Sequence, residues 1–523
     1  MGGVYVVRSQ IITDLNAYRT RINPLKEAIY DYDNQKRYSY EELETRSEKL
    51  AYFLNRILAV KKGDRIAFCA QNSVEFIDAF YASCKTGVIV TTYNCLLNID
   101  ELTRLISNES PKVIFYDCKY KKTINMLKSR FPNIAYISLG TEKGENDYCC
   151  YEELMAIQLN QQVENVHIDM EDIQMLIHTG GTTGLPKASK MSYRSIFYNS
   201  LSEILTLGLS SRDSVYVFLP FFHTAAWNVL TLPLLLAGGK IILTKEFHPK
   251  KALKIIEEEK PTVAIGVETI YRLMAEQEEF NKTDFSSFRW MLSGAAPISR
   301  EIMKIYWDKG VKIVNAYGMT EIGPNNLVPP VNEMTLDEIK EKWNSAGKPM
   351  FFNNVRIVDE EGKDVKDGEK GELIWKSNLI FSGYFNNDEG TKKVIKDGWV
   401  YTGDIGRKDE DGFYYISGRK KNMYISGGEN IFPIEVEMVL NNSPVVKESC
   451  VIAMKDPKWG EVGKALIVLQ EDKPEAKKEL KQFINENLSS IKRPKYIEFV
   501  EEIPKNQVGK LDMKEIKSRY GDS

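Results

Sequence analysis

Thr179-Gly-Gly-Thr-Thr-Gly-Leu-Pro-Lys187 is the segment whose residue types and spacing best suit an anion. It follows a short β-rich run, IQMLIH, and so begins where a strand should end. Gly180, Gly181 and Gly184 let backbone N–H groups turn toward one point. Thr179, Thr182 and Thr183 add hydroxyl donors, and Lys187 adds a point charge. The chemistry is phosphate binding. The segment departs from GxxxxGK[ST], because Ala188 follows the lysine and Pro186 precedes it. On local grounds alone a flexible surface loop is the competing reading.

Other segments are individually plain. Ser293-Gly-Ala-Ala-Pro297 reads as a turn, Tyr401-Thr-Gly-Asp404 as a β-turn, and Glu321 in Asn315-Ala-Tyr-Gly-Met-Thr-Glu321 as a loop acid. Lys510, closing Pro504-Lys-Asn-Gln-Val-Gly-Lys510, reads as a surface lysine. Taken in order from Ser39 to the last twenty residues, however, these segments resemble the motifs of the adenylate-forming superfamily, beginning with its YTSGTTGxPKG signature. That superfamily includes acyl-CoA synthetases, peptide-synthetase adenylation domains and firefly-type luciferases.

The resemblance implies roles residue by residue. The glycine-rich loop, from Thr179 through Gly180, Gly181, Thr182, Thr183 and Gly184 to Lys187, would clamp the ATP phosphates, with Thr179 and Glu321 holding Mg²⁺. Gly294, Ala295 and Ala296 would line adenine together with Asn315, Ala316, Tyr317 and Gly318, Tyr317 stacking on the base. Thr320 would contact the α-phosphate, and Asp404 and Arg419 would meet the ribose. Lys510 would bridge the attacking carboxylate and the α-phosphate, stabilising a crowded anionic transition state. His223, Trp227 and Gly266 would border the acyl group, Trp227 as an aromatic gate unless it is a plain core residue. Lys421 would be the hinge, and Gly427 and Gly428 would border the pantetheine of CoA. Four positions depart from the family pattern: Gly180 for serine, Ala188 for glycine, Glu268 for proline and Asn422 for aspartate.

The elements that must position these residues are also legible. Ser39 and Glu42 have capping-box spacing, and Leu43, Leu50, Leu54 and Ile57 follow at helical intervals, predicting an amphipathic helix. From about residue 170 short β-rich runs end repeatedly in polar or glycine-rich turns: IQMLIHTGG, VYVFLPFFH, TVAIGV, RWMLSGAAP and VKIVNAYGMTE. Ligands collect at the carboxyl ends of strands in α/β sheets, so these turns should converge on one cleft. Between Val355 and Tyr415, closely spaced EEG, KDG, DEG and EDG turns predict a small barrel or meander. The expected fold is α/β and α+β. Two α/β subdomains and a small β-barrel would form residues 1–419, and a mobile α+β domain would form residues 420–523.

Composition bounds the remaining possibilities. With 523 residues the chain should form more than one domain. A net charge of -3 argues against a general nucleic-acid binder. The strongest apolar run, Val229 to Gly238, is about half of what a membrane span needs and reads as core. Met1 to Tyr5 resembles neither a secretory signal nor a myristoylation site, so a cytoplasmic location is expected. Seven cysteines without a CxxC pair, and four histidines without metal spacing, predict reduced structural thiols and no zinc.

A carboxylate is a poor target for a thiol because its oxygen leaves badly, and adenylation replaces that leaving group. The expectation is therefore ATP- and Mg²⁺-dependent activation of a medium- or long-chain fatty acid, followed by transfer to CoA. Glu268 keeps a polar or aromatic acid open. Two alternatives stand: a stand-alone enzyme loading a carrier protein's phosphopantetheine, and a catalytically weak binding protein on the same fold. A homodimer is expected only by analogy.

Overall fold

The computed structural model describes residues 14–159, 166–179, 186–505 and 511–521. Two seven-stranded sheets form its centre. The first runs Cys149–Cys150, Ala135–Ser138, Val113–Tyr116, Arg65–Cys69, Ile89–Thr92, Ile173–Thr179 and Lys187–Ser192, all parallel except the last. The second runs Ile313–Asn315, Trp290–Ser293, Val263–Gly266, Ser214–Tyr216, Lys240–Leu243, Glu27–Asp31 and Lys36–Ser39, again parallel up to its edge. Their central strands are buried on both faces, which is why runs such as VAIG and WMLS are apolar throughout.

The expected N-terminal helix spans Tyr40–Tyr52. Its capping box is reciprocal: Glu42 N–H donates to Ser39 Oγ at 3.2 Å, and Ser39 N–H donates to Glu42 Oε2 at 2.7 Å. The helix does not continue regularly to Ile57. Phe53–Ile57 widens into a π-helical turn, closed by Leu58 N–H donating to Phe53 O at 3.0 Å. Widening rotates the last residues off the apolar stripe, so Ile57 is exposed while Leu43, Leu50 and Leu54 are buried.

From Asn353 the chain forms a five-stranded antiparallel sheet of Asn353–Val358, Gly371–Ser377, Trp399–Lys408, Ile395–Lys396 and Tyr414–Arg419. The last unit carries its own sheet, in which Val446–Asp456 and Gly460–Leu469 pair antiparallel over most of their length. Helices Pro433–Leu440, Pro474–Asn487 and Met513–Tyr520 belong to the same unit. The large core gathers side chains from Ala28 to Tyr414, whereas two smaller cores draw only on residues from Tyr424 onward. Helix Pro433–Leu440 packs on strand Tyr414–Arg419 across that break, and Glu435 pairs with Lys370.

Candidate active site

Strands Ile173–Thr179 and Lys187–Ser192 pair with Thr179 opposite Lys187, so the two ends of the sequence's phosphate-binding candidate face each other. Thr179 Oγ1 donates to Lys187 O at 3.4 Å. Gly180, Gly181, Thr182, Thr183 and Gly184 lie outside the described residues, as does Lys510.

Parallel strands of the second sheet deliver the next group at their carboxyl ends. Trp290–Ser293 leads into Gly294, Ala295 and Ala296; Ile313–Asn315 leads into Ala316 and Tyr317; Val263–Gly266 ends at Gly266. Backbone bonds tie the turns together, Ala316 N–H to Ser293 O at 2.8 Å and Gly294 N–H to Gly266 O at 3.1 Å. Asn315 braces them: its Oδ1 accepts from Ile298 N–H at 3.0 Å and its Nδ2 donates to Trp343 O at 2.9 Å. Ala295 sits at φ +67°, a conformation costly for alanine that the surrounding turn imposes. Gly318 is required by close approach, since a Cβ there would lie 2.3 Å from Pro324 O in the facing strand.

The five-stranded sheet brings up the third group. Asp404 and Arg419 are register partners on adjacent strands, with Arg419 Nε 2.8 Å from Asp404 Oδ1. Tyr317 Oη donates to Asp404 Oδ2 at 2.7 Å, joining the adenine and ribose candidates across the two sheets. Burial pushes the Asp404 carboxyl above the usual carboxylate range, with Arg419 and the Tyr317 bond pulling the other way. The Tyr317 phenol is likewise driven well up by burial, then by Asp404.

Glu321 and Thr320 are both nearly buried. Tyr384 Oη donates to Glu321 Oε1 at 2.8 Å, and Lys187 Nζ lies 4.7 Å from the centre of the Tyr384 ring. Tyr384 thus connects the hairpin lysine to the acidic residue, a link the sequence reading missed. Lys421 occupies a 3-10 turn, Lys420–Asn422, and its ammonium is lowered first by burial and then by the charges of Arg419, Lys187 and Lys517, with Asp404 opposing. Three cations, Arg419, Lys187 and Lys517, act on Lys421, and Arg419 and Lys421 also act on Asp404; a cationic field of this kind attracts a polyanion. Thr179 and Glu321 offer one hydroxyl and one carboxylate. That hard oxygen set fits Mg²⁺, which takes its other oxygens from phosphates and water.

The remaining sequence candidates fall into different surroundings. His223 lies in the turn before the π-helical turn Ala226–Thr231, its ring 4.6 Å from that of Phe222. Trp227 is sealed in the core: wholly buried, its Nε1 donates to Phe221 O at 2.6 Å and its ring stacks on Phe221 at 4.6 Å. Glu268 opens helix Glu268–Ala275 and is engaged by Arg272 at 2.7 Å and by the Ser299 N–H and hydroxyl at 3.1 and 3.0 Å. Gly427 and Gly428, at φ +57° and +89°, turn the short hairpin of Tyr424–Ser426 and Glu429–Ile431.

A second missed residue is His178, immediately before Thr179, where the signature carries tyrosine. Its Nδ1 is 3.1 Å from Thr92 O and its Nε2 is 2.6 Å from Glu109 Oε1. Both ring nitrogens face acceptors, an arrangement that favours the doubly protonated ring. Burial pushes His178 down, but Glu109 and Thr92 raise it above the usual histidine range. A raised folded value means that stabilisation is complete below the unfolded value near 6.5 and is lost as pH climbs through the folded one. Accordingly, His178→Gln should lower stability by about 1–3 kcal/mol at pH 6, with the gap narrowing toward pH 9. Chemical denaturation of both proteins across that range checks it; a gap independent of pH would rule out the charged ring.

Comparison with known proteins now adds to this geometry. The AMP-binding enzyme family model matches residues 18–385, and that of the AMP-binding enzyme C-terminal domain matches residues 435–510. A feruloyl-CoA synthase of Amycolatopsis sp. is 32% identical over 92% of this chain and 94% of its own. A long-chain-fatty-acid–CoA ligase of Mycobacterium tuberculosis is 29% identical over 96% and 97%. Among solved structures, ATP-bound MatB from Rhodopseudomonas palustris superposes with a TM-score of 0.87 at 26% identity, covering 97% of this chain and 99% of that one. With its nucleotide-site motifs gathered at the strand ends of such a fold, the chain belongs to the AMP-binding enzymes, the adenylate-forming superfamily that includes the acyl-CoA synthetases.

Proposed function

We propose that the chain activates a carboxylic acid with ATP, releasing pyrophosphate to form an acyl-adenylate, and then passes the acyl group to CoA. The observation that carries this reading is the convergence of Tyr317, Asp404 and Arg419 beside Lys187 and Glu321. A diol-binding carboxylate, a ring beside it and a cationic wall are what a nucleoside triphosphate requires. The names of the relatives, CoA ligases for aryl and fatty acids, support the thiol acceptor.

In the first step Asp404 accepts hydrogen bonds from the ribose, exchanging its present bond to Tyr317, while Lys187 and Arg419 offset phosphate charge. Glu321 and Thr179 would hold Mg²⁺, and the metal would supply positive charge opposite the pyrophosphate oxygens. Positioning and charge supply most of the rate, since in-line displacement at phosphorus needs little covalent help. In the second step the unit 420–523 turns about Lys421, withdrawing Lys510 and bringing the Gly427–Gly428 turn to the acyl-adenylate. Both a fatty and an aryl acid fit this reading, since the relatives include a long-chain-fatty-acid–CoA ligase and a feruloyl-CoA synthase.

Lys510→Ala separates the steps. ATP–pyrophosphate exchange should fall by about 100-fold or more, while thioester formation from synthetic acyl-adenylate and CoA stays within about threefold of the parent. Exchange at the parental rate would remove Lys510 from the mechanism. A parent that exchanges pyrophosphate with no acid would overturn the proposed activity.

A further inference from the structure

Next to His223 and Glu321, three elements enclose polar side chains that adenylation does not use. Helix Tyr193–Leu207 supplies Asn199 and Glu203, one turn apart on the same face. The π-helical turn Ala226–Thr231 supplies Asn228 and Thr231. Strand Gly323–Val328, beginning two residues after Glu321, supplies Asn325. These elements pack on one another, and every one of the five side chains is at most 1% exposed. The link to the site is short: Asn228 Nδ2 donates at 3.0 Å to Thr224 Oγ1, the neighbour of His223, and a Cβ on Gly323 would stand 3.3 Å from Asn199 Oδ1.

The cluster is only half satisfied. Asn199 Nδ2 donates to Asn228 O at 2.5 Å, and Asn325 Nδ2 donates to Glu203 Oε2 at 3.1 Å. After these bonds Asn199 Oδ1, Glu203 Oε1, Asn228 Oδ1, Thr231 Oγ1 and Asn325 Oδ1 have no partner among the described residues. Native interiors hold few such atoms, and five in one place call for an explanation. The amide nitrogens of Asn199, Asn228 and Asn325 are used and their oxygens are not, so these three atoms call for donors, while the Thr231 hydroxyl can give as well as accept.

We propose that this cluster receives the far end of the acid substrate, and that the acid carries an O–H or N–H donor there: a hydroxy- or amino-substituted acid, not a plain hydrocarbon chain. The proposal rests on the acid-activating reading above and narrows its substrate. A hydrocarbon tail would exclude water while leaving the acceptors unpaired, and a site with buried polar groups discriminates strongly against a ligand that cannot pair them. Burial pushes the Glu203 carboxyl well above the usual range, against the Asn325 bond.

The test uses the full chain and ATP–pyrophosphate exchange with matched acids: octanoic acid and its terminal hydroxy and amino derivatives, and cinnamic acid with its para-hydroxy and para-amino derivatives. In at least one series a donor-bearing acid should exceed its unsubstituted parent in kcat/KM by about 30-fold or more, with the hydroxy and amino arms distinguishing the two donors. Glu203→Leu should reduce that ratio by about tenfold or more, and Asn325→Leu serves in its place if the first variant does not fold. Because the readout is a ratio between two acids on one protein, a general loss of stability leaves it unmoved. Equal turnover of the matched acids, or preference for the plain ones, overturns this proposal and leaves acid activation standing. Silence with every acid overturns both together.

Discussion

Glu321→Gln is expected to slow acyl-adenylate formation by about 100- to 1,000-fold. The substitution preserves volume and lets Tyr384 Oη keep its bond to the remaining carbonyl oxygen, so the pocket should hold its shape. What disappears is the negative charge beside Lys187, and with it the hard anionic ligand that suits Mg²⁺. Two readouts separate this role from a structural one. The Mg²⁺ concentration giving half-maximal exchange should rise about tenfold or more, and ATP binding measured calorimetrically should lose its dependence on Mg²⁺. An unchanged Mg²⁺ requirement with a slowed rate would assign Glu321 to positioning Tyr384 alone. The thermal midpoint should stay within about 2 °C, since one neutral hydrogen bond replaces another of similar geometry.

Local chemistry made much of this site legible before any fold was known. The β-rich runs ending in turns were strands of parallel sheets, and their carboxyl ends do carry Ser293, Asn315 and Gly266. The Ser39–Glu42 box opened the helix it predicted because both of its bonds lie within four residues. Contacts made over long separations were illegible. Nothing around His178 announces Glu109, which is 69 residues away, and Tyr384 meets Glu321 across 63. Asn199 and Glu203 look like the polar face of an ordinary helix, and only the packing of Gly323–Val328 and Ala226–Thr231 against that face reveals them as interior. Trp227 and Glu268 likewise take partners that their local sequence does not announce, Phe221 for the first and Arg272 and Ser299 for the second.

Asp78→Ala is expected to lower the unfolding free energy by about 3–5 kcal/mol, the largest loss of stability among the changes considered. Asp78 lies on helix Val74–Thr86 with its carboxylate fully enclosed. It accepts from Arg46 Nε at 3.0 Å, Arg46 Nη2 at 2.6 Å and Tyr151 Oη at 2.9 Å, fastening helix Tyr40–Tyr52 to its neighbour and to Tyr151. Removing the acid strands a guanidinium that is only 13% exposed and, among the described residues, has no other acid closer than Glu75 at 4.0 Å. The loss therefore comes from the charge left behind more than from the bond removed. That distinction is measurable: Arg46→Met combined with Asp78→Leu deletes both charges, fills the space and should recover most of the loss. Urea denaturation of the three variants beside the parent decides it. A double variant as unstable as Asp78→Ala would mean that the hydrogen-bond network itself, through Tyr151, fastens the two helices.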